Sequence, residues 1–296
     1  MKTALRRPLI AIAAILITFS DLAALPSSST KKTPPSAQES ASVLTLGNPS
    51  EATASMSSPD NFLMVKPQYV LSYNDAKGGP NWVSWHLQAS DIGTEARGDF
   101  HTDNSLPDGF KKITKANYNN SGFDRGHICN SKDRTDTREN NDATFFMTNI
   151  LPQAPDNNQG PWVKLENFER DLASSGNELY IIAGAFGSGG TGKNGLSTKI
   201  ANDKVNVPRT FWKVIVVLPE GTNDLSRIDS STRVIAVCMR NKQGIRNRTW
   251  QSFVTTMRNV EAVTHYNFLS EVPVNVQNII ETHRDSASTA TTNPCQ

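Results

Sequence analysis

Pro161-Trp-Val-Lys-Leu-Glu-Asn-Phe-Glu-Arg-Asp-Leu-Ala-Ser-Ser-Gly176 is the one long stretch of this chain that repeats at helical spacing, and Leu179-Tyr-Ile-Ile-Ala183 follows it at once. Trp162, Leu165, Phe168 and Leu172 recur every three or four residues, which puts them on one face of a helix. Pro161 suits the first helical turn, where its missing N–H costs nothing, and Gly176 suits the stop. Around this helix the signals are those of strands. Tyr69-Val-Leu-Ser-Tyr73 and Trp82-Val-Ser-Trp-His-Leu87 alternate apolar and polar residues, with a turn at Gly78-Gly79-Pro80 between them. Phe211-Trp-Lys-Val-Ile-Val-Val-Leu218 and Arg233-Val-Ile-Ala-Val-Cys-Met239 are further strands, bounded by Gly, Pro, Asn and Asp. Shorter helices are expected near Arg258–Thr264 and Val274–His283. Strands with segregated helices predict an α+β fold with a central, mainly antiparallel β-sheet flanked by helices.

The two ends read differently. Lys2, Arg6 and Arg7 precede an apolar run from Pro8 to Phe19, and small residues follow at Ala23 and Ala24. This is the pattern of a secretory signal peptide over residues 1–24. The run is shorter than the ~20 residues that span a bilayer, so the processed chain is expected to be secreted or periplasmic and free of the membrane. Residues 25–60 are rich in Ser, Thr, Pro and Ala and predict a disordered linker. Residues 285–296 predict a flexible tail by the same reasoning, which leaves a folded domain over 61–284. The whole chain carries +2. Loss of Lys2, Arg6, Arg7 and Asp21 with the leader brings it to about 0. Attraction for phosphate would then have to be local. Arg240, Lys242, Arg246 and Arg248 form one such cluster, equally readable as a solvated loop. Three cysteines, Cys129, Cys238 and Cys295, leave at least one thiol unpaired and resemble no disulfide framework.

The densest polar constellation runs from Phe123 to Arg170. It holds Asp124-Arg-Gly-His127, Asp133-Arg134, Gln153-Ala-Pro-Asp-Asn-Asn158, and then Glu166 and Arg170 on one side of the helix. Hydrolysis of a phosphodiester needs a base for water, a cation for the developing charge and donors for the phosphate. His127 is a suitable base, being largely neutral at neutral pH. Asn158 offers a neutral oxygen of the type Mg2+ accepts, and Glu166 could orient one of the waters that ion keeps. Arg125 and Arg170 could take phosphate bidentately. Taken singly these features are ordinary. A histidine after glycine is usually structural, an i,i+4 Glu–Arg pair is usually a surface ion pair, and Pro-Asp-Asn is usually a turn. Gly187-Ser-Gly-Gly-Thr-Gly-Lys193 has most of a nucleotide-binding P-loop, yet Asn194 stands where a Ser or Thr should be and no helix follows. His86, His101, His127, His265 and His283 show no zinc-binding spacing.

Together, the motifs carry a resemblance. Asp124-Arg-Gly-His127 is similar to the signature of the DNA/RNA non-specific endonucleases, the ββα-metal or His-Me finger group. Phe145-Phe-Met-Thr-Asn-Ile-Leu-Pro-Gln153, Pro155-Asp-Asn-Asn158 and Trp162 through Glu166 to Arg170 stand in that family's order and spacing. The resemblance covers about residues 65–280 and is nearest to the secreted bacterial sugar-non-specific nucleases. It implies a ββα-metal catalytic motif and a one-metal hydrolysis of DNA and RNA with little sequence preference. His127 is then the general base, Asn158 the direct Mg2+ ligand, and Glu166 a contact to the metal through water. Arg170 and Arg125 contact phosphate or support the site, Arg97 matches an arginine that stabilises transition-state charge, and Asp124 organises the site. Mn2+ would be able to replace Mg2+, and the products would carry 5′ phosphates. DNA and RNA are the expected partners, with a protein inhibitor left open.

Overall fold

The computed structural model describes residues 43–296, so the expected leader (1–24) and the first part of the linker (25–42) lie outside the described residues. Along the chain, β1 (Phe62–Val65), β2 (Val70–Asn74) and β3 (Gly79–Leu87) come first. A long irregular stretch leads to β4 (Asp124–His127), α1 (Arg138–Ala143) and β5 (Ile150–Gln153). A single turn, α2 (Pro155–Asn157), and a π-type turn over Asn158–Trp162 run into α3 (Val163–Ser174). Next come β6 (Asn177–Phe186), β7 (Gly190–Gly192), β8 (Gly195–Ser197), β9 (Lys199–Ile200), β10 (Val205–Asn206) and β11 (Thr210–Pro219). The chain ends with α4 (Asp224–Arg227), β12 (Arg233–Arg240), β13 (Val254–Thr255), α5 (Met257–Thr264) and α6 (Val274–Ile280).

Seven of the strands form one sheet in the order β1-β2-β3-β6-β11-β12-β13. Every neighbouring pair in it is antiparallel. Side chains alternate across a strand, so each strand feeds two cores. On β11, Phe211 and Ile215 enter one core with Trp162 and Leu165. Trp212, Val214 and Val216 enter the other with Met257, Val260 and Phe268. An antiparallel sheet often leaves one face to water. Here both faces are covered, which is why Val214–Leu218 is an unbroken apolar run. Lys213 is the exception in that strand, and it falls on the α3 side.

Helix α3 begins two residues after Pro161, because Pro161 sits inside the π-type turn, whose backbone breaks at Gly160 (φ −115°, ψ −112°). Of its expected stripe, Leu165 is fully buried, and Phe168 and Leu172 are partly buried against the same core. The glycine-rich Gly187–Lys193 segment leads into the β7–β8 hairpin and not into a helix.

Two boundary expectations are corrected. The linker does not extend to residue 60: Val43, Leu46 and Ala52 are buried in the second core, and the Trp82 indole donates to Ser50 Oγ at 2.8 Å. Three well-placed apolar residues suffice to hold residues 43–60, whose polar composition reads as disordered. Residues 285–296 are not a loose tail either. Arg233 donates to both oxygens of Asp285 (2.6 and 3.1 Å), and Cys295 is disulfide-bonded to Cys238. The odd thiol is Cys129, which is buried.

Candidate active site

Strands β4 and β5 pair as Asp124↔Gln153, Arg125↔Pro152, Gly126↔Leu151 and His127↔Ile150. The chain then turns through α2 into α3, so two strands and a helix are packed together. Only glycine fits at the third position of Asp-Arg-Gly-His. A Cβ on Gly126 would lie 2.3 Å from the Gln153 side chain. Asn149 extends the pairing: its carboxamide accepts from Cys129 N (2.9 Å) and donates to Cys129 O (2.9 Å) and Thr144 O (2.8 Å). That fixes the segment just beyond His127.

Arg97, Arg125, His127, Asn158, Glu166 and Arg170 all line one cleft of about 280 Å³. Residues from β4, α3 and two loops are thus brought together although 73 positions separate the first from the last. Asp124 lies behind this cleft. Its Oδ2 accepts from Asn158 Nδ2 (2.9 Å) and Gln159 Nε2 (2.7 Å). With its nitrogen held there, the Asn158 carboxamide presents its oxygen as the atom left for a ligand.

The His127 ring is 8% exposed and is wedged between Phe145 (4.8 Å, edge-on) and Phe100 (5.1 Å). Burial and, secondarily, the Arg97 guanidinium push its pKa down to about 3, so the imidazole is neutral at neutral pH. Its Nε2 is buried with no hydrogen-bond partner. Arg97 is held over the faces of Phe145 (5.0 Å) and Phe100 (5.6 Å). Arg125 stacks over Phe100 at 5.5 Å and donates to Lys115 O and Asn119 Oδ1. The aromatic contacts leave the Arg97 edge open to an anion, whereas Arg125 spends Nε and Nη2 on Lys115 and Asn119 and keeps Nη1 for one.

Glu166 and Arg170 share the cleft, but they are not paired with each other in a salt bridge. Arg170 donates to the fully buried Asp133 (2.7 Å) and to Asn167 (2.6 Å). Asp133 in turn accepts from the Trp85 indole. Burial raises the Glu166 pKa, opposed by Lys213 and by a hydrogen bond with Asn130. Below Glu166, Lys213 and Glu169 form a wholly buried ion pair at 3.0 Å, with the ammonium 4.6 Å from the Trp162 ring. The sequence reading did not single out Asn130, Lys132 and Gln159, which also line the cleft. A lysine beside Asp-Arg and a glutamine beside Asn-Asn were the available signals.

A family model described as DNA/RNA non-specific endonuclease matches residues 47–275. A protein named Nuclease from Nostoc sp. is 47% identical over 244 residues, covering 82% of this chain and 86% of that one. Mitochondrial endonuclease G of Bos taurus is 31% identical over 166 residues, covering 54% of this chain and 55% of its own length. Nuclease C1 of Cunninghamella echinulata is 33% identical over 193 residues, covering 62% and 73%. A chain from the crystal structure of an EndoG/EndoGI complex shares the fold, with a TM-score of 0.65 and 23% identity over 82% of this chain and 95% of that chain. With a family match over most of its length and a well-covered relative near half identity, this chain belongs to the DNA/RNA non-specific endonuclease family.

Proposed function

We propose that the chain is an exported, Mg2+-dependent endonuclease that hydrolyses DNA and RNA by a one-metal route within the cleft of His127 and Asn158. The observation that carries this reading is the Asn158 carboxamide, turned by Asp124 so that its oxygen is free beside a buried Glu166 and a neutral imidazole. No group of three or more His, Cys, Asp or Glu side chains among the described residues is placed to chelate an ion. The donor set therefore fits a hard cation that keeps most of its water, as Mg2+ does, with Mn2+ able to replace it. Asn158 would hold it directly and Glu166 through an intervening water. Bound there, the ion would neutralise charge building on the phosphoryl and leaving oxygens.

The chain's own residues supply the rest. His127 takes the proton of the attacking water at its cleft-facing nitrogen, with the other proton of the ring kept on the buried side. Arg97 and Arg125 meet the non-bridging oxygens of the phosphate, and Arg170, pinned by Asp133, keeps the wall of the cleft in place. Water attacks phosphorus in line with the 3′ oxygen, the P–O3′ bond breaks, and the departing oxygen takes a proton from solvent, which leaves a 5′ phosphate and a 3′ hydroxyl. No ribose hydroxyl takes part, so the chemistry need not distinguish RNA from DNA, and contacts to phosphate carry no sequence information. Export is supported by the Cys238–Cys295 disulfide, a bond typical of oxidising compartments. The EndoG/EndoGI complex concerns inhibition of that enzyme, and we extend the same partner class, a protein inhibitor, to this chain.

The test is a digest of supercoiled DNA and of RNA, with and without chelator, by wild type and Asn158→Ala. Wild type should degrade both substrates only when metal is present, and the variant should lose at least about a hundredfold in rate. Equal rates in every lane would remove the metal site from the mechanism.

A further inference from the structure

The cleft measures about 280 Å³, and the chain as a whole is close to neutral once the charges of residues 1–24 are set aside. Strands longer than a few nucleotides must be held by something local. The loop from Lys242 to Arg248 lies against the turn that carries Asn158. Arg246 donates to Asp156 (3.0 Å) and to the cleft residue Gln159 (3.0 Å). Gly244 N donates to the same carboxylate at 2.7 Å. Gly160 packs so closely that a Cβ there would lie 2.6 Å from Arg246 Cα. On the helix side, Lys164 Nζ reaches Arg246 O (3.2 Å) and Arg248 O (3.0 Å). On the other side, Lys193 at the β7–β8 tip lines a second cavity, of about 380 Å³. That cavity shares Asp124 and Pro155 as a wall with the catalytic turn.

The charges here are unequal. Lys164, Lys193, Lys242 and Arg248 are exposed and form no salt bridge among the described residues, although the Lys193 charge is felt by Asp156 and the Arg248 guanidinium lies over the Phe253 ring at 4.5 Å. The acidic neighbours are already occupied: Asp156 by Arg246 and Gly244, and Asp124 by Asn158 and Gln159. Arg240, which the sequence groups with this cluster, turns away to the carbonyl of Gln296.

We propose that Lys164, Lys193, Lys242 and Arg248 form a phosphate rail beside the cleft, which binds the backbone of the nucleic-acid strand flanking the scissile bond. The proposal rests on the nuclease reading above and adds to it where the rest of the substrate lies. A rail of this type binds through release of counterions and has a salt slope of about one per phosphate contact.

The experiment compares wild type with Lys193→Gln/Lys242→Gln/Arg248→Gln. Binding of a fluorescein-labelled 24-base-pair DNA is read by anisotropy between 50 and 200 mM salt, with EDTA present. The triple variant should bind about tenfold or more weakly at 50 mM, with a log–log salt slope shallower by about 3. Lys193→Gln alone, at an exposed hairpin tip, should lose about one unit of slope with its melting temperature unchanged. Wild type that degrades plasmid but shares Kd and slope with the triple variant overturns the rail alone. Wild type that shows the predicted binding difference but never cleaves overturns the nuclease reading and leaves the rail standing.

Discussion

Asp124 holds the nitrogen end of the Asn158 carboxamide, and an ionised carboxylate can only accept there. Asparagine at 124 could donate as well, so the Asn158 amide would be free to turn its oxygen away from the cleft. Asp124→Asn is therefore expected to raise the Mg2+ concentration for half-maximal cleavage by roughly 10–100-fold, the usual cost of losing an outer-shell partner. A rate-versus-Mg2+ titration checks it, and an unchanged midpoint would count against the arrangement. His127 makes a second prediction. The buried ring titrates at about 3 in the folded chain, against about 6.5 when unfolded. Below 6.5 the unfolded chain takes up a proton that the folded chain refuses, so stability is lost as pH falls from 6.5 towards 3. The whole window corresponds to roughly 4–5 kcal/mol. Urea melts at pH 7, 5 and 4 should show that slope in wild type and a flatter one in His127→Gln.

Beneath the apolar contacts that pack helix α3 on the sheet lies a buried ion pair. Lys213 stands on β11 between apolar neighbours and forms a salt bridge with Glu169, both with no exposure, while its charge also acts on Glu166. Removing one member of such a pair strands the other. Lys213→Met is expected to cost about 3–5 kcal/mol, whereas Lys213→Met/Glu169→Leu should recover most of it. Guanidinium melts of the three chains decide this; a double variant no better than the single would show that packing, not charge, dominates the site. The same elements mark what the sequence made legible. The strand pattern and the α3 stripe were readable because ten residues of β11 and twelve of α3 carry a full period or more. β4 and β5 are four residues each, too short for alternation to register, and their pairing depends on Asn149 and on the absent side chain of Gly126. The cleft residues were legible through a shared motif, but their contacts were not. Spacing predicts that Glu166 and Arg170 share a face, and it cannot reveal that Arg170 turns to Asp133, 37 positions earlier.

At the scale of the whole molecule, composition misread residues 43–60 and 285–296, because a few tethers outweigh many polar residues. Cys295 closes a loop of 57 positions onto β12, and Asp285 and Thr289 are bound along the way, Asp285 to Arg233 and Thr289 to Gln251. Chain entropy assigns a loop of that length roughly 4 kcal/mol of stabilisation. The bond lies in the core with Met257 and Phe268, while the cleft is built over the opposite core with Trp162 and Leu165. The sheet separates the two. Cys295→Ser should therefore lower the denaturant midpoint by the equivalent of about 2–4 kcal/mol and leave cleavage at 25 °C close to wild type. Ending the chain at residue 284 should cost more, since the Arg233–Asp285 contact goes with it. Melts and plasmid digests on the same preparations separate stability from activity. If Cys295→Ser lost cleavage while its melt stayed put, the two faces of the sheet would have to be coupled through β12, whose last residues reach the Asn158 turn by way of Asn241 and Ala154.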